Sequence, residues 1–151
     1  MAKISFLWIG KTKGYWLREG IAFYLKRISH FVQVEVLEPK DPSKKGSKMA
    51  LALKNLALPK KAYRVLLDES GQEYTSAQFS KFLNQRLRTP PNHVLFLLGG
   101  PYGFDELAKG QADHILSLSR LTFTHDMSRV ILLEQVYRAL AIARGLPYHH
   151  G

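Results

Sequence analysis

The densest run of chemically suggestive residues follows an apolar stretch. Val94–Leu98 passes directly into Gly99-Gly100-Pro101-Tyr102-Gly103, three glycines in five residues. Such a turn admits positive φ and lets a ligand approach the backbone. It lacks the dinucleotide spacing G-x-G-x-x-G and the lysine of a phosphate loop. Asp105 and Glu106 lie just beyond it and would repel a phosphate. A neutral or cationic ligand suits it better, although a tight strand-to-helix turn explains the spacing alone. A second unusual strand end is Leu66-Leu67-Asp68-Glu69-Ser70-Gly71, an apolar run closing on acids and a glycine. A third segment, Leu118-Ser119-Arg120-Leu121-Thr122-Phe123-Thr124, is rich in hydroxyls. Its backbone is able to meet the edges of a ring, or it is an ordinary connection.

The C-terminal part offers acid, base and cation together. Glu134 and Arg138 stand four apart, a spacing that pairs along one helix face and commonly serves only the helix. The chain then reaches Tyr148-His149-His150-Gly151. Histidine moves protons near neutral pH, while most chain ends are frayed polar tails. Metal ligation is disfavoured, because His149 and His150 are adjacent and no third ligand stands near them. With no cysteine in the chain, thiolate metal sites, disulfides and cysteine nucleophiles are excluded.

These segments need a scaffold of alternating elements. Ile4–Ile9 and Val94–Leu98 are continuous apolar runs, as buried strands are. Val32, Val34 and Val36 alternate with polar residues, Tyr63–Leu67 makes a third strand, and Ile115–Leu118 a weaker fifth. Leu17, Ile21, Tyr24, Leu25 and Ile28 recur at helical spacing. A helix is predicted from about 48 to 58, and another, carrying Phe79, Phe82, Leu83 and Leu87, begins at a Thr75 or Ser76 cap. Asp105-Glu106 suits the first turn of a further helix. The last helix is expected to open at Asp126 or Ser128, to bury Val130, Leu133, Val136, Tyr137 and Leu140, and to end near Gly145 and Pro147. This alternation predicts a single α/β domain over 1–151, its mostly parallel sheet covered by helices on both faces.

The 151 residues carry a formal net charge of +10. Residues 1–61 hold 13 Lys and Arg against 4 Asp and Glu, so the excess is almost wholly N-terminal. Lys40, Lys44, Lys45 and Lys48 cluster around Pro39, Pro42 and Gly46, as in an exposed loop. A polyanion is a natural partner for such a surface, and a solvated lysine face is the plain alternative. No apolar run is long enough to cross a bilayer, and the first residues lack the order of a signal peptide. A cytoplasmic protein is expected.

Taken together, the segments resemble the ribosomal RNA large subunit methyltransferase H family of the knotted SPOUT methyltransferases. The matching residues run in order: Gly10-Lys11, Tyr24–Arg27, Leu67–Gly71, Gly99–Gly103, Ser117–Ser119 with Leu121-Thr122, His125 with Arg129, Leu133–Ala139, and Pro147-Tyr148-His149. The resemblance covers essentially the whole length, and the last helix and tail are its most specific part. It departs at Gln72, where a lysine is common. It departs again at Asp126, where proline or glutamine is usual, and at the His150-Gly151 ending, where a cation usually follows the tyrosine-histidine pair.

The resemblance implies a C-terminal trefoil knot, S-adenosylmethionine (SAM) as methyl donor with no metal, and a homodimer. It further implies methylation of N3 of a pseudouridine in 23S ribosomal RNA on assembled ribosomes. The implied cofactor residues are Leu67, Gly100, Ser119, Arg120, Leu121, Thr122, Phe123 and Thr124. For catalysis the expectation is His149 as general base with Tyr148 shaping its pocket, and His125 as second choice. Arg138 or Arg129 would stabilise the deprotonated base. RNA contacts are expected from Lys11, Lys40, Lys44, Lys45, Lys48 and Arg129. The competing readings are a non-catalytic ribosome-assembly factor, which would not bind SAM, and a SAM-dependent tRNA methyltransferase. A small-molecule enzyme with a nucleotide at the glycine turn is disfavoured by the charge and the missing phosphate motifs.

Overall fold

A computed structural model describes residues 1–40 and 58–151. The elements run β1 (Lys3–Trp8), α1 (Tyr15–Ser29), β2 (Gln33–Leu37), β3 (Tyr63–Gln72), α2 (Ser76–Arg88), β4 (His93–Leu98), α3 (Glu106–Gly110), β5 (His114–Leu116) and α4 (His125–Ala143). The helix predicted at about 48–58, and Lys44, Lys45 and Lys48, lie outside the described residues.

The five strands form one sheet in the order β2-β1-β4-β3-β5, and every pairing is parallel. Alternation along each strand divides the apolar residues between two faces. Ile4, Phe6 and Trp8 of β1 join Val94, Phe96 and Leu98 of β4 under α1, α2 and α4. Phe6 and Phe96 stack there with ring centroids 5.4 Å apart. On the other face Leu7, Ile9, Leu66, Leu95 and Leu97 pack against Phe104 and Ala108. Helical cover is therefore unequal among the described residues: three long helices on one face, and the five-residue α3 on the other. The step from β3 to β4 crosses by α2. The step from β4 to β5 goes the opposite way across the opposite face, so both crossovers have the same hand.

Local signals fix the helix ends. Thr75 and Gln78 form a reciprocal capping box at α2, where removing the cap costs about 1 kcal/mol. Asn92, at φ 61°, closes the other end by donating Nδ2 to the Leu87 carbonyl. The cap of α4 is Thr124, whose hydroxyl accepts from Met127 N at 3.2 Å. This moves the start from the expected Asp126 or Ser128, since Asp126 is buried inside the first turn. Strand β3 also differs from expectation. It does not close on its acids: Leu67 and Gln72 both pair with Leu116, and Asp68–Gly71 bulge out between them. Gly71 allows this because a Cβ there would sit 2.6 Å from the Ile115 backbone.

Candidate functional site

The carboxyl ends of parallel strands are where α/β sheets bind ligands. Here the bulge of β3, the turn after β4 and the segment after β5 meet around one cavity of about 470 Å³, within the usual range for small-molecule sites of roughly 300–1,000 Å³. Its apolar wall comes from Leu67, Leu98, Phe104, Leu118, Leu121 and Phe123. Its polar wall comes from Asp68, Glu69, Ser70, Lys109, Ser119, Thr122, His125 and Ser128.

Each segment is held by its own hydrogen bonds. Gly103, at φ 68°, donates to the Gly100 carbonyl at 3.0 Å and closes the glycine turn. Gly99 passes so near this turn that a Cβ would meet Gly103 backbone at 3.2 Å, whereas one on Gly100 would meet nothing within 4 Å. Ser117 N donates to the Gln72 carbonyl, Ser119 Oγ accepts from Leu121 N, and Thr122 Oγ1 donates to Glu69 Oε2 at 3.2 Å. The third segment is thereby tied to the bulge of β3.

The charge at the wall is mainly acidic. Burial tends to raise the Asp68 carboxyl, but hydrogen bonds from Ser70 and the ammonium of Lys109 at 3.4 Å outweigh it and hold the group below its ordinary range. Asp68 therefore faces the cavity as an anion.

Of the expected cofactor residues, Leu67, Gly100, Ser119, Leu121, Thr122 and Phe123 line this cavity. Arg120 and Thr124 do not: Arg120 is exposed, and the Thr124 side chain is engaged as the cap of α4. Sequence reasoning passed over Asp68, Glu69 and Ser70 as site residues, although they had stood out as an odd strand end. Lys109 gave no signal, because only the fold of α3 brings it to the wall.

The expected catalytic residues separate. His125 lines the cavity, with Nε2 3.3 Å from Asp126 Oδ1. Arg138, Tyr148 and His149 form a distinct cluster on α4 and the tail, and none of them lines the cavity. Glu134 Oε2 accepts from Tyr148 Oη at 2.6 Å and from Arg138 Nη2 at 2.7 Å. Arg138 Nη1 lies 2.9 Å from His149 Nδ1, and its guanidinium is 4.8 Å above the Tyr148 ring. Tyr24 Oη completes the cluster at 3.2 Å from the Tyr148 oxygen. Burial, followed by the bond to Glu134, pushes the Tyr148 phenol far above its ordinary value, so it is no proton acceptor at neutral pH.

The RNA expectation for Arg129 is corrected. Its side chain is 1% exposed, and it donates to the carbonyls of Ile9 and Gly10 and to Thr12 Oγ1 at 2.8–3.1 Å. It fastens the β1–α1 connection to α4 and has no surface to offer a phosphate or a substrate base. Lys11 and Lys40 are exposed.

A family model described as "Predicted SPOUT methyltransferase" matches residues 2–149. The chain belongs to the SPOUT methyltransferases. Curated relatives agree over nearly their whole length. A protein of Geobacter metallireducens named ribosomal RNA large subunit methyltransferase H is 42% identical, the match covering 99% of each chain. Proteins of the same name from Parabacteroides distasonis, 40% identical over 98% of this chain and 99% of the relative, and Cytophaga hutchinsonii, 37% over 95% and 97%, are similar to it as well. In this SPOUT methyltransferase, no group of three His, Cys, Asp or Glu side chains able to hold a metal occurs among the described residues. No helix among them is long and apolar enough to cross a membrane.

Proposed function

We propose that this chain methylates N3 of a pseudouridine in large-subunit (23S) ribosomal RNA on assembled ribosomes, with SAM as methyl donor and no metal. The observation that carries the reading is the cavity of about 470 Å³ at the strand ends, where three segments far apart in sequence converge. Its chemistry fits the donor. The apolar wall suits an adenine ring, and the backbone of Ser119–Phe123 with that of Gly100 offers hydrogen bonds to its edge. Asp68 and Glu69 are the charges that favour a sulfonium and an ammonium, and Lys109 is placed for a carboxylate. When bound, SAM supplies an electrophilic methyl group. The protein's part is to hold the target nitrogen in line with that methyl and to stabilise the charge left on the base. The N3 proton leaves to solvent, the nitrogen pair forms the new N–C bond, and the pair of the broken C–S bond stays on sulfur.

The tail cluster and the cavity are separate within one chain, so the working unit in this reading is a homodimer, the tail of one copy serving the cavity of the other. Exposed apolar groups favour it: Trp16 is 66% exposed and Leu121 75%, with Tyr15 and Phe23 also outward. The trefoil knot and a cytoplasmic location belong to the same reading. Lys11 and Lys40, with the lysines at 44, 45 and 48, supply phosphate contacts.

Transfer of tritiated methyl from SAM to ribosomes lacking the modification, beside free rRNA and tRNA, tests the reading. Label is expected on ribosomes alone. Absence of label there, with SAM bound, would sink the substrate assignment. Absence of SAM binding would leave a non-catalytic ribosome-binding protein.

A further inference from the structure

His149 is the residue expected from the sequence to act as general base, and its surroundings argue otherwise. A guanidinium has five N–H donors and no acceptor. At 2.9 Å from His149 Nδ1, Arg138 Nη1 therefore donates, and the Nδ1 lone pair receives that bond. The proton of the neutral imidazole then resides on Nε2. We infer that His149 is held as an Nε2–H donor and meets the target base through that N–H, rather than removing its proton.

The rest of the cluster is arranged to keep Arg138 in this role. Its Nη2 is fixed on Glu134 Oε2 at 2.7 Å, and its central carbon lies 4.8 Å from the centre of the Tyr148 ring. The acceptors nearby are already engaged. Glu134 Oε2 receives both Arg138 and Tyr148, and Glu134 Oε1 receives Gln135 Nε2 at 2.9 Å. Gln135 is itself held from α2, its Oε1 accepting from Ser76 Oγ at 3.0 Å. Tyr148 spends its proton on Glu134 and so takes the hydrogen of Tyr24. The donors the cluster has left to offer a partner are Nε2 of His149, which has no hydrogen-bond partner among the described residues, and the remaining guanidinium protons of Arg138. Such a surface matches the carbonyl oxygens flanking N3, where negative charge gathers once the proton has gone. It does not match the N3–H itself.

The inference rests on the methyltransferase reading for its substrate, but one of its two tests does not depend on activity. In the full-length protein with ¹⁵N-labelled histidine, two-bond proton–nitrogen correlation at pH 8 reports which nitrogen of His149 bears hydrogen. The expected result is a protonated Nε2 and a bare Nδ1, with a minor Nδ1–H fraction appearing in Arg138→Met and shrinking again in Arg138→Lys. Hydrogen on Nδ1, or a tautomer indifferent to Arg138, overturns the inference.

The second test is methyl transfer by His149→Gln and His149→Phe. Glutamine places an N–H₂ near the position of Nε2 and is no base. It is expected to keep kcat within about tenfold, whereas phenylalanine loses about 10²–10³-fold, the usual loss for one donor to a developing oxyanion. A glutamine variant as inactive as the phenylalanine variant, in protein that still binds SAM and melts normally, overturns the inference. Should the wild-type chain label no ribosomes, the proposed function falls, while the tautomer measurement still decides how His149 is held.

Discussion

Arg129→Met tests whether the buried cation is a clamp. Its guanidinium donates to Ile9 O, Gly10 O and Thr12 Oγ1, with Asp126 Oδ1 3.6 Å away and the Trp8 ring 5.2 Å from its central carbon. Methionine fills most of the volume but strands those acceptors and leaves the buried Asp126 charge without its cation. Removing one partner of a buried ion pair costs about 3–5 kcal/mol. Asp126 Oδ1 and Arg129 Nε have no hydrogen-bond partner among the described residues, so the native cluster is not fully satisfied, and the middle of that range, about 4 kcal/mol, is expected. At roughly 2–4 °C per kcal/mol for a chain of this size, Tm should fall by roughly 8–16 °C. Adding Asp126→Asn removes the stranded charge and should return part of the loss. The pair would then show a coupling of about 1–3 kcal/mol in a double-mutant cycle. Urea and thermal denaturation with and without SAM are the assays. A Tm within about 3 °C of wild type refutes the clamp. Normal stability with weakened rRNA binding would return Arg129 to the surface role first expected of it.

Three further outcomes follow from the geometry. Gly71→Ala drives a Cβ into the Ile115 backbone and should destabilise by about 1–3 kcal/mol or more, whereas Gly100→Ala has open space and should leave Tm unchanged while weakening SAM binding by calorimetry. Asp68→Asn removes the anion at the cavity wall and should lower SAM affinity more than affinity for the uncharged thioether product; equal loss for both would show that Asp68 does not act on the sulfonium. His93 and His114 are both lowered from 6.5, by burial first and then by Lys3 and Arg86 respectively. The unfolded chain therefore takes up protons first as pH falls, so their contribution is full above about 6.5 and is lost in the acid window below it. In His93→Gln/His114→Gln the fall in Tm between pH 7 and 5 should be shallower, and an unchanged slope would assign it to other groups.

The sheet was legible because its strands are apolar runs at the right intervals, and α1, α2 and α4 because their buried residues recur at helical spacing. Strand order was not, since β4 inserts between β1 and β3 by packing that no local pattern records. The bulge at Asp68–Gly71 escaped for a related reason: acids and a glycine at a strand end look like a terminus, and only Leu116 pairing twice reveals that the strand resumes. Arg129 was misjudged because surface exposure is the ordinary state of arginine. Its burial depends on three acceptors supplied more than a hundred residues away. Asp126, a departure from the family pattern, becomes intelligible on the same ground. It accepts from Lys13 N at 3.0 Å and faces both Arg129 and His125.

The two clusters carry opposite polarity, and that division bears on how the reaction is shared. The cavity wall presents anions, suited to a cationic donor and poorly suited to a base that must become negative. The tail presents N–H groups backed by Arg138, suited to that negative base and poorly suited to a sulfonium. Each set carries its own counter-charge, Lys109 beside Asp68 and Glu134 beside Arg138, so neither needs the other to hold its charge in place. In the proposed homodimer, the two sets of groups lie on separate parts of each chain and meet only across two copies. A tail detached from its cluster should then cost methyl transfer and leave SAM affinity unchanged. Glu134→Gln, which weakens the hold on both Arg138 and Tyr148, is the variant that should show this split. A parallel fall in SAM binding would mean that the clusters are not independent.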